Sequence, residues 1–351
     1  MKKRIAILIP TIKAGGAEKQ AVLLAALLSE YCEVHFITLN NTDTDSVANT
    51  ECLASTKAIR HVLIGNVFSK CIGLKRILLD NKISILFNYL TMPNVIGSVI
   101  GRLVGISKVY NGIRNSRLPH LKLWIERTVH NKLATASIFN CYSGVDYFSG
   151  QGFSRDKCVT IPNCYPDISD AICRTDKKNK TIIIVGRFVP QKDYETAIKA
   201  VSELYKARTD FNFYIVGYGE LESEIRNWVS EYGIEPITTI YHNPSNIHEL
   251  LQSSDIYLST SLFEGTSNSI MEAMDKSLPV VCTNVGDNPY LVEEGVSGFL
   301  SKIRDYVYIS DALNMLLDDV ELRNKFGMCG NERLRKFYSV ERFTEKYKEL
   351  L

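Results

Sequence analysis

Short apolar runs rich in Val, Ile, Phe and Tyr alternate with stretches of helical period from one end of the chain to the other, the pattern of βαβ units and parallel sheets. Strands are expected at 4–10, 34–39, 59–64, 83–88, 108–112, 137–142 and 158–162, with helices between them. After a polar stretch at 174–180 the pattern restarts, with strands expected at 181–185, 211–216, 237–241, 255–259 and 279–283. A restart of this kind predicts two Rossmann-like sheets facing across a cleft, with the cleft as the default place for a ligand. The last stretch, from about 331 to 351, is highly charged but carries Leu334, Phe337, Phe343 and Tyr347 at helical spacings, so it predicts a helix that needs a surface to pack on.

Composition narrows the class. With 351 residues, 45% hydrophobic and 23% charged, the chain has the balance of an ordinary soluble globular protein of about two domains. Its apolar runs fall far short of the roughly 20 residues that cross a bilayer. The opening Met-Lys-Lys-Arg is followed by a run that stops at Pro10, which predicts a first strand and not a leader. Nine cysteines with no Cys-x-x-Cys spacing suggest neither a disulfide framework nor a zinc site, so a reducing cytoplasm is expected. The six histidines form no His-x-x-x-His arrangement, and no metal is implied.

A net charge of +2 argues against nucleic acid as a partner, but the charge is unevenly spread. Up to Asp170 there are 20 Lys and Arg against 12 Asp and Glu, and beyond it 21 against 27, so the halves carry +8 and −6. The basic first half suits an anionic surface or phosphate.

Three segments carry candidate chemistry. After the first strand, Gly15 and Gly16 lead into a helix. A helix start of this kind can cradle a phosphate, and a glycine pair can equally be plain turn geometry. After the restarted strand, Gly186-Arg187 is followed five residues on by Lys192. At a sheet's carboxyl edge two such cations can hold a diphosphate and stabilise it as it leaves, and they can also be simple solvated charges. The strongest signal runs from Ser261 to Met274, with Glu264 in a turn and Glu272 about two turns into the following helix. Both carboxylates can accept hydrogen bonds from sugar hydroxyls over a helix start, or act only on the helix dipole and solvent.

Together these segments resemble the retaining glycosyltransferases of family 4, which have the two-domain GT-B fold. The likeness rests on Gly-Gly-Ala-Glu at 15–18, Ile-Pro-Asn at 161–163, Gly-Arg-x-x-x-x-Lys at 186–192, Val-Gly-x-Gly at 216–219 and Glu-x7-Glu at 264–272. The stretches at 279–286 and 292–299 add to it, and the order is kept over nearly the whole chain. The resemblance implies an α/β GT-B protein with an acceptor-binding domain over 1–164, a nucleotide-sugar-binding domain over 165–332, and a C-terminal helix over 333–351 packing back on the first domain. It implies transfer of a sugar from a nucleotide-diphosphate sugar, UDP-linked or GDP-mannose, to a hydroxyl of a glycan or lipid-linked glycan acceptor in surface polysaccharide or glycoconjugate assembly. By similarity Arg187 and Lys192 bind the diphosphate, Glu264 the donor sugar and Glu272 the ribose. Backbone near His242 and Asn243 faces the base, and Gly15, Gly16, Gly217, Gly265, Thr266 and Ser267 complete the donor contacts, with no metal or other cofactor.

There are departures. Many relatives place a histidine after the fourth or fifth strand of the first domain; here those edges read Asn88-Tyr89-Leu90-Thr91 and Asn111-Gly112-Ile113-Arg114-Asn115, and Arg114 is the candidate to assist the leaving phosphate or an anionic acceptor. Cys164-Tyr165 replaces the usual Gly-Val after the 161–163 hinge, a change with little chemical meaning. Asp43 and Asp45 imitate a metal-binding Asp-x-Asp but sit in a polar loop. In the basic segment 117–132, Leu121, Trp124, Ile125, Thr128 and Val129 form one helical stripe, which either packs on its own sheet or lies on anionic headgroups at the inner face of a membrane. Two other readings stay open: an inactive nucleotide-sugar-binding protein, and a GT-B sugar epimerase or phosphorylase.

Overall fold

The computed structural model describes residues 2–13, 15–40, 45–114 and 118–351. The chain divides into two compact units, Met1–Cys164 with Val340–Leu351, and Tyr165–Ser339. Asp43, Asn115 and Arg117 lie outside the described residues.

The first unit runs β1 (Arg4–Ile9), α1 (Gly16–Ser29), β2 (Glu33–Thr38), α2 (Val47–Ala54), β3 (Ile59–Val62), α3 (Val67–Asp80), β4 (Ile85–Tyr89), α4 (Thr91–Leu103), β5 (Lys108–Ile113), α5 (His120–Lys132), β6 (Ala136–Phe139), α6 (Tyr142–Gly150) and β7 (Cys158–Thr160). All pairings are parallel, in the order β3-β2-β1-β4-β5-β6-β7. Alternation along β1 feeds two cores: Ile5, Ile7 and Ile9 pack with α1, and Ala6 and Leu8 with α3 and α4. Because strand order reverses at β1, right-handed crossovers carry α1 and α2 over only half of their face. The other half is covered from the far end of the chain, where Phe343 and Tyr347 join Phe87, Tyr89, Tyr110 and Ile138.

The second unit follows: β8 (Lys180–Val185), α7 (Tyr194–Ala207), β9 (Phe211–Gly217), α8 (Glu222–Glu231), β10 (Thr238–His242), α9 (Ile247–Ser253), β11 (Ile256–Ser259), α10 (Asn268–Asp275), β12 (Val280–Thr283), α11 (Asn288–Leu291), β13 (Gly298–Ser301), α12 (Tyr306–Asp318) and α13 (Val320–Tyr338). Its parallel sheet has the order β10-β9-β8-β11-β12-β13. Ile182 and Ile184 pack against α7 and α12, and Ile183 and Val185 share a core with α9 and α10. β13 has no counterpart among the expected strands, because it opens with Gly298, a residue that weakens a strand pattern. A side chain there would run into the carbonyl oxygen of Val280 on the neighbouring strand, so glycine marks close strand approach.

The helix expected over 333–351 is two helices. α13 runs on to Tyr338 and stays with the second unit, where Leu334 and Tyr338 are buried and Asn331 donates to the carbonyls of Ser169 and Asp275 at 3.1 and 3.0 Å. Only α14 (Val340–Leu350) belongs to the first. Its end is held there by Lys108 Nζ, 3.0 Å from both Leu350 O and Leu351 O, and by the Tyr110 hydroxyl, 3.1 Å from Leu350 O.

α5 also buries a different stripe from the expected one. Leu121 and Trp124 are 71% and 58% exposed, and the buried positions are Leu123, Glu126, Val129 and His130. Two of those four are polar, so hydrophobic periodicity alone points to the wrong face. His130 is satisfied by Ser137 Oγ at 2.7 Å and Ser154 O at 3.0 Å. Both oxygens of Glu126 accept from Asn94 Nδ2, at 3.0 and 3.2 Å. Burial nevertheless pushes the Glu126 carboxyl from 4.5 up to about 7, against the smaller opposing effect of its hydrogen bonds from Asn94 and Thr91.

The folded chain therefore keeps a proton that the unfolded chain gives up near pH 4.5, and this part of the stability is lost as pH rises from about 5 to about 7. Glu126→Gln should remove the dependence: unfolding free energies from urea titrations at pH 5 and pH 8 should differ less in the variant than in the wild type, by up to about 3 kcal/mol. An identical pH profile in the two proteins would show that the carboxyl is ionised throughout.

Candidate active site

Parallel pairing brings the carboxyl ends of β8, β9, β10 and β11 to one edge of the second sheet, and the residues just beyond them enclose a cavity of about 350 Å³. Gly186 and Arg187 follow β8, Tyr218 follows β9, Asn243 follows β10, and the loop carrying Glu264 follows β11. Asn268 and Ser269 of the first turn of α10 line the same wall. Ser267, at the N-cap, makes no side-chain cap, which leaves the first-turn N–H groups of α10 for an anion in the cavity.

At the centre, Lys192 Nζ donates to Glu264 Oε1 at 2.6 Å, and Ser261 Oγ donates to the same oxygen at 2.8 Å. The side chains of Lys192 and Glu264 are only 15% and 10% exposed, so the pair is largely out of water. Removing one member would leave the other charge poorly solvated, and that makes the arrangement strongly determined. Arg187 differs. It is exposed at the cavity wall and makes no ion pair among the described residues.

Backbone contacts fix the Glu264 loop on both sides. Leu262 N–H donates to Gln191 O at 2.8 Å, Gln191 Nε2 to Phe263 O at 2.7 Å, and Thr260 Oγ1 lies 3.0 and 2.9 Å from the carbonyls of Lys192 and Asp193. From β12, Thr283 Oγ1 donates to Ser261 O at 2.6 Å. Gly286, with φ +54°, lies so close that a Cβ would collide with Glu264 O. Glu272 is one turn into α10, nearer the helix start than the expected two turns, and lines the cavity half-buried. Below it the hydroxyl of Tyr257 donates to Val185 O at 3.2 Å. Burial, with the Glu272 and Glu264 carboxylates nearby, holds that hydroxyl well above its ordinary pKa, so it stays a donor.

The far end of the cavity is lined by Gly217, Tyr218, Asn243 and Ile247. Asn243 is held in the left-handed region at φ +42°, with its N–H on Gly217 O at 2.9 Å. His242 does not line the cavity. Its Nδ1 lies 2.6 Å from Glu222 Oε2 on the exposed side, where Arg226, then His242, holds the Glu222 carboxyl below the usual range.

Of the residues singled out from sequence, Arg187, Lys192, Gly217, Asn243, Glu264, Thr266, Ser267 and Glu272 therefore meet in one cavity, with Gly265 in the intervening loop. Gln191, Asn268 and Tyr218 join them without having been given a role, and the buried Ser261 supports Glu264 from behind the lining. Ser261 stands inside the quoted motif, but a hydroxyl reaches a carboxylate three residues on only through a particular turn.

Gly15, Gly16 and Arg114 belong to the first unit. Gly15 is the N-cap of α1, and Gly16 opens the helix. Arg114 is already engaged. Its guanidinium stacks on the Tyr89 ring at 4.8 Å and donates to Tyr347 OH at 3.0 Å and Asn163 Oδ1 at 3.3 Å, tying α14 to the end of β5. Asp45, the described half of the Asp-x-Asp, pairs with Arg60 at 3.6 Å and accepts from Ile12 N–H at 3.4 Å.

Residues 168–333 match the family model described as Glycosyl transferases group 1. The UDP-Gal:alpha-D-GlcNAc-diphosphoundecaprenol alpha-1,3-galactosyltransferase of Escherichia coli is 24% identical over 326 residues, 83% of this chain and 81% of that protein. The N-acetylgalactosamine-N,N'-diacetylbacillosaminyl-diphospho-undecaprenol 4-alpha-N-acetylgalactosaminyltransferase of Campylobacter jejuni is 25% identical over 99% of this chain and 100% of that protein. Among solved structures, Anabaena HepE in complex with UDP superposes with a TM-score of 0.82 at 16% identity, covering 99% of this chain and 98% of that one. The two parallel sheets with their helices are thus those of a GT-B protein. Within that class the chain is a glycosyltransferase.

The Gly286 contact can be isolated by comparison with Gly295, which has φ +70° and, among the described residues, open space where a Cβ would stand. Gly295→Ala should cost about 1–2 kcal/mol for the left-handed backbone alone and leave turnover unchanged. Gly286→Ala should cost more and also lower turnover, because Glu264 is displaced. Urea denaturation and steady-state rates of the two variants check this, and equal losses would remove the collision from the account.

Proposed function

We propose that this glycosyltransferase is a retaining enzyme of the family 4 type, taking a sugar from a nucleoside diphosphate donor, UDP in preference to GDP, and adding it to a hydroxyl of a lipid-linked or surface glycan. The carrying observation is the cavity of the second unit, where the uncommitted Arg187, the Lys192–Glu264–Ser261 cluster and the start of α10 converge. A diphosphate placed there meets two cations and helix N–H groups, which stabilise negative charge as it develops on the leaving phosphate. Metal independence follows from that supply of positive charge.

Glu264, oriented by Lys192 and Ser261, faces the sugar hydroxyls, and Glu272 accepts from the ribose. Gly217, Asn243 and Ile247 enclose the base. Support for UDP and for a lipid-diphosphate acceptor comes from the names of the E. coli and C. jejuni relatives and from HepE with its UDP. The alpha linkages in those relatives' names accord with retention from an alpha-linked donor. With such an acceptor the enzyme works in the cytoplasm, as a peripheral protein at the inner face of the membrane. Among the described residues no helix is long and apolar enough to cross it.

Arg187→Ala and Lys192→Ala should each lower kcat/KM at least about tenfold with a UDP-sugar donor. They should part in stability: only Lys192→Ala leaves the Glu264 carboxylate without its cation, so only it should lower the melting temperature appreciably. Unchanged kinetics in both variants would refute the diphosphate assignment.

Activity should also survive EDTA, and loss on chelation restored by Mn²⁺ would overturn the metal-independent reading. A thermal-shift screen of UDP, GDP and their sugars identifies the base by mass action. Binding of a donor without release of any glycosylated product would instead mark an inactive binding protein.

A further inference from the structure

The first unit presents a surface that neither its cores nor the cavity of the second unit uses. Ile64, Phe68, Ile72 and Leu79 recur at helical spacing along and just before α3 and are 82%, 74%, 47% and 48% exposed, while Leu74 and Leu78 take the buried side. α3 packs on α4, and α4 on α5. α4 adds the exposed Val99 and Leu103, and α5 adds Leu121 and Trp124. Single exposed apolar residues are ordinary, but a row of them continued across three neighbouring helices marks an interaction site.

The charge around this face is mainly positive. α3, α4 and α5 together carry seven Lys and Arg against two acids, Asp80 and Glu126, and Glu126 is buried. Lys75, Arg76, Lys82 and Lys122 are all exposed. Apolar side chains set among cations that make no ion pair among the described residues are complementary to a surface that is anionic outside and hydrocarbon within.

We propose that the face formed by α3, α4 and α5 docks on an anionic lipid bilayer, with Phe68 and Ile72 entering the headgroup boundary and Lys75, Arg76 and Lys122 against lipid phosphates. The proposal rests on the peripheral, lipid-acceptor reading above and gives it a location: α3 leads, and α5 contributes through Leu121 and Trp124 instead of acting alone.

Co-sedimentation with vesicles of phosphatidylcholine containing about one third phosphatidylglycerol, and of phosphatidylcholine alone, tests it at low and raised salt. The wild type should bind only the anionic vesicles, more weakly as salt rises. Phe68→Glu/Ile72→Glu and Lys75→Glu/Arg76→Glu should each lower the bound fraction at least about tenfold, with melting temperature and UDP-induced thermal shift unchanged. Wild-type levels of binding by both variants would overturn this face while leaving peripheral attachment standing elsewhere. No binding by the wild type at low salt would overturn both. A concentration-dependent dimer without vesicles, dissolved by Phe68→Glu/Ile72→Glu, would give the face to a second copy of the chain and overturn the lipid. The UDP shift reports on the cavity in the same samples, so failure of the donor reading is seen separately.

Discussion

Parallel pairing of every strand is the constraint on which the rest of this structure depends. In a parallel sheet the chain leaves each strand at the same edge and returns by a helix, so turns and helix starts collect on one side. In the second unit the registers Val185↔Val216 and Gly217↔His242 align the ends of β8, β9 and β10. Residues far apart in sequence, Arg187, Asn243 and Glu264 among them, thereby meet without any long excursion of the chain. A slip of one residue in any of these pairings would turn a strand over and scatter them.

Within that frame the two cations do different work. Lys192 is fixed by Glu264, and Glu264 by Ser261, by the Gln191 carbonyl and Thr283 hydroxyl that hold its loop, and by close contact with Gly286, so these positions are set before any ligand arrives. Arg187 has no such tether among the described residues and can follow the charge of whatever enters. Electrostatic stabilisation of a leaving group is strongest when its donors need not reorganise, so under the proposed function the larger preorganised share falls to Lys192.

Much of the fold could be read from the sequence because buried parallel strands are near-continuous apolar runs and the crossover helices separate them cleanly. What escaped reading escaped for stated reasons. β13 opens with a glycine required for close strand approach, which breaks the apolar pattern. α5 buries Glu126 and His130, which pattern analysis counts as solvent-facing. The spacing from Glu264 to Glu272 and from Gly186 to Lys192 identified the cavity, because those residues sit at strand ends and helix starts where local sequence dictates position. Ser261 and Gln191 act through a turn and through backbone carbonyls, which no spacing rule encodes. Arg114 was legible as a cation but not as one already spent on Tyr347, a partner 233 positions away.

The return of α14 to the first unit reverses the order in which the two halves of the molecule mature. Residues 165–339 are contiguous and can close their core as soon as they have been synthesised. The first unit, although translated earlier, lacks Phe343 and Tyr347 until the chain has passed through the whole of the second. During that interval the aromatic face of β4 and β5 stays uncovered. A nascent chain of this protein is therefore most exposed to misassembly in the part that the ribosome made first.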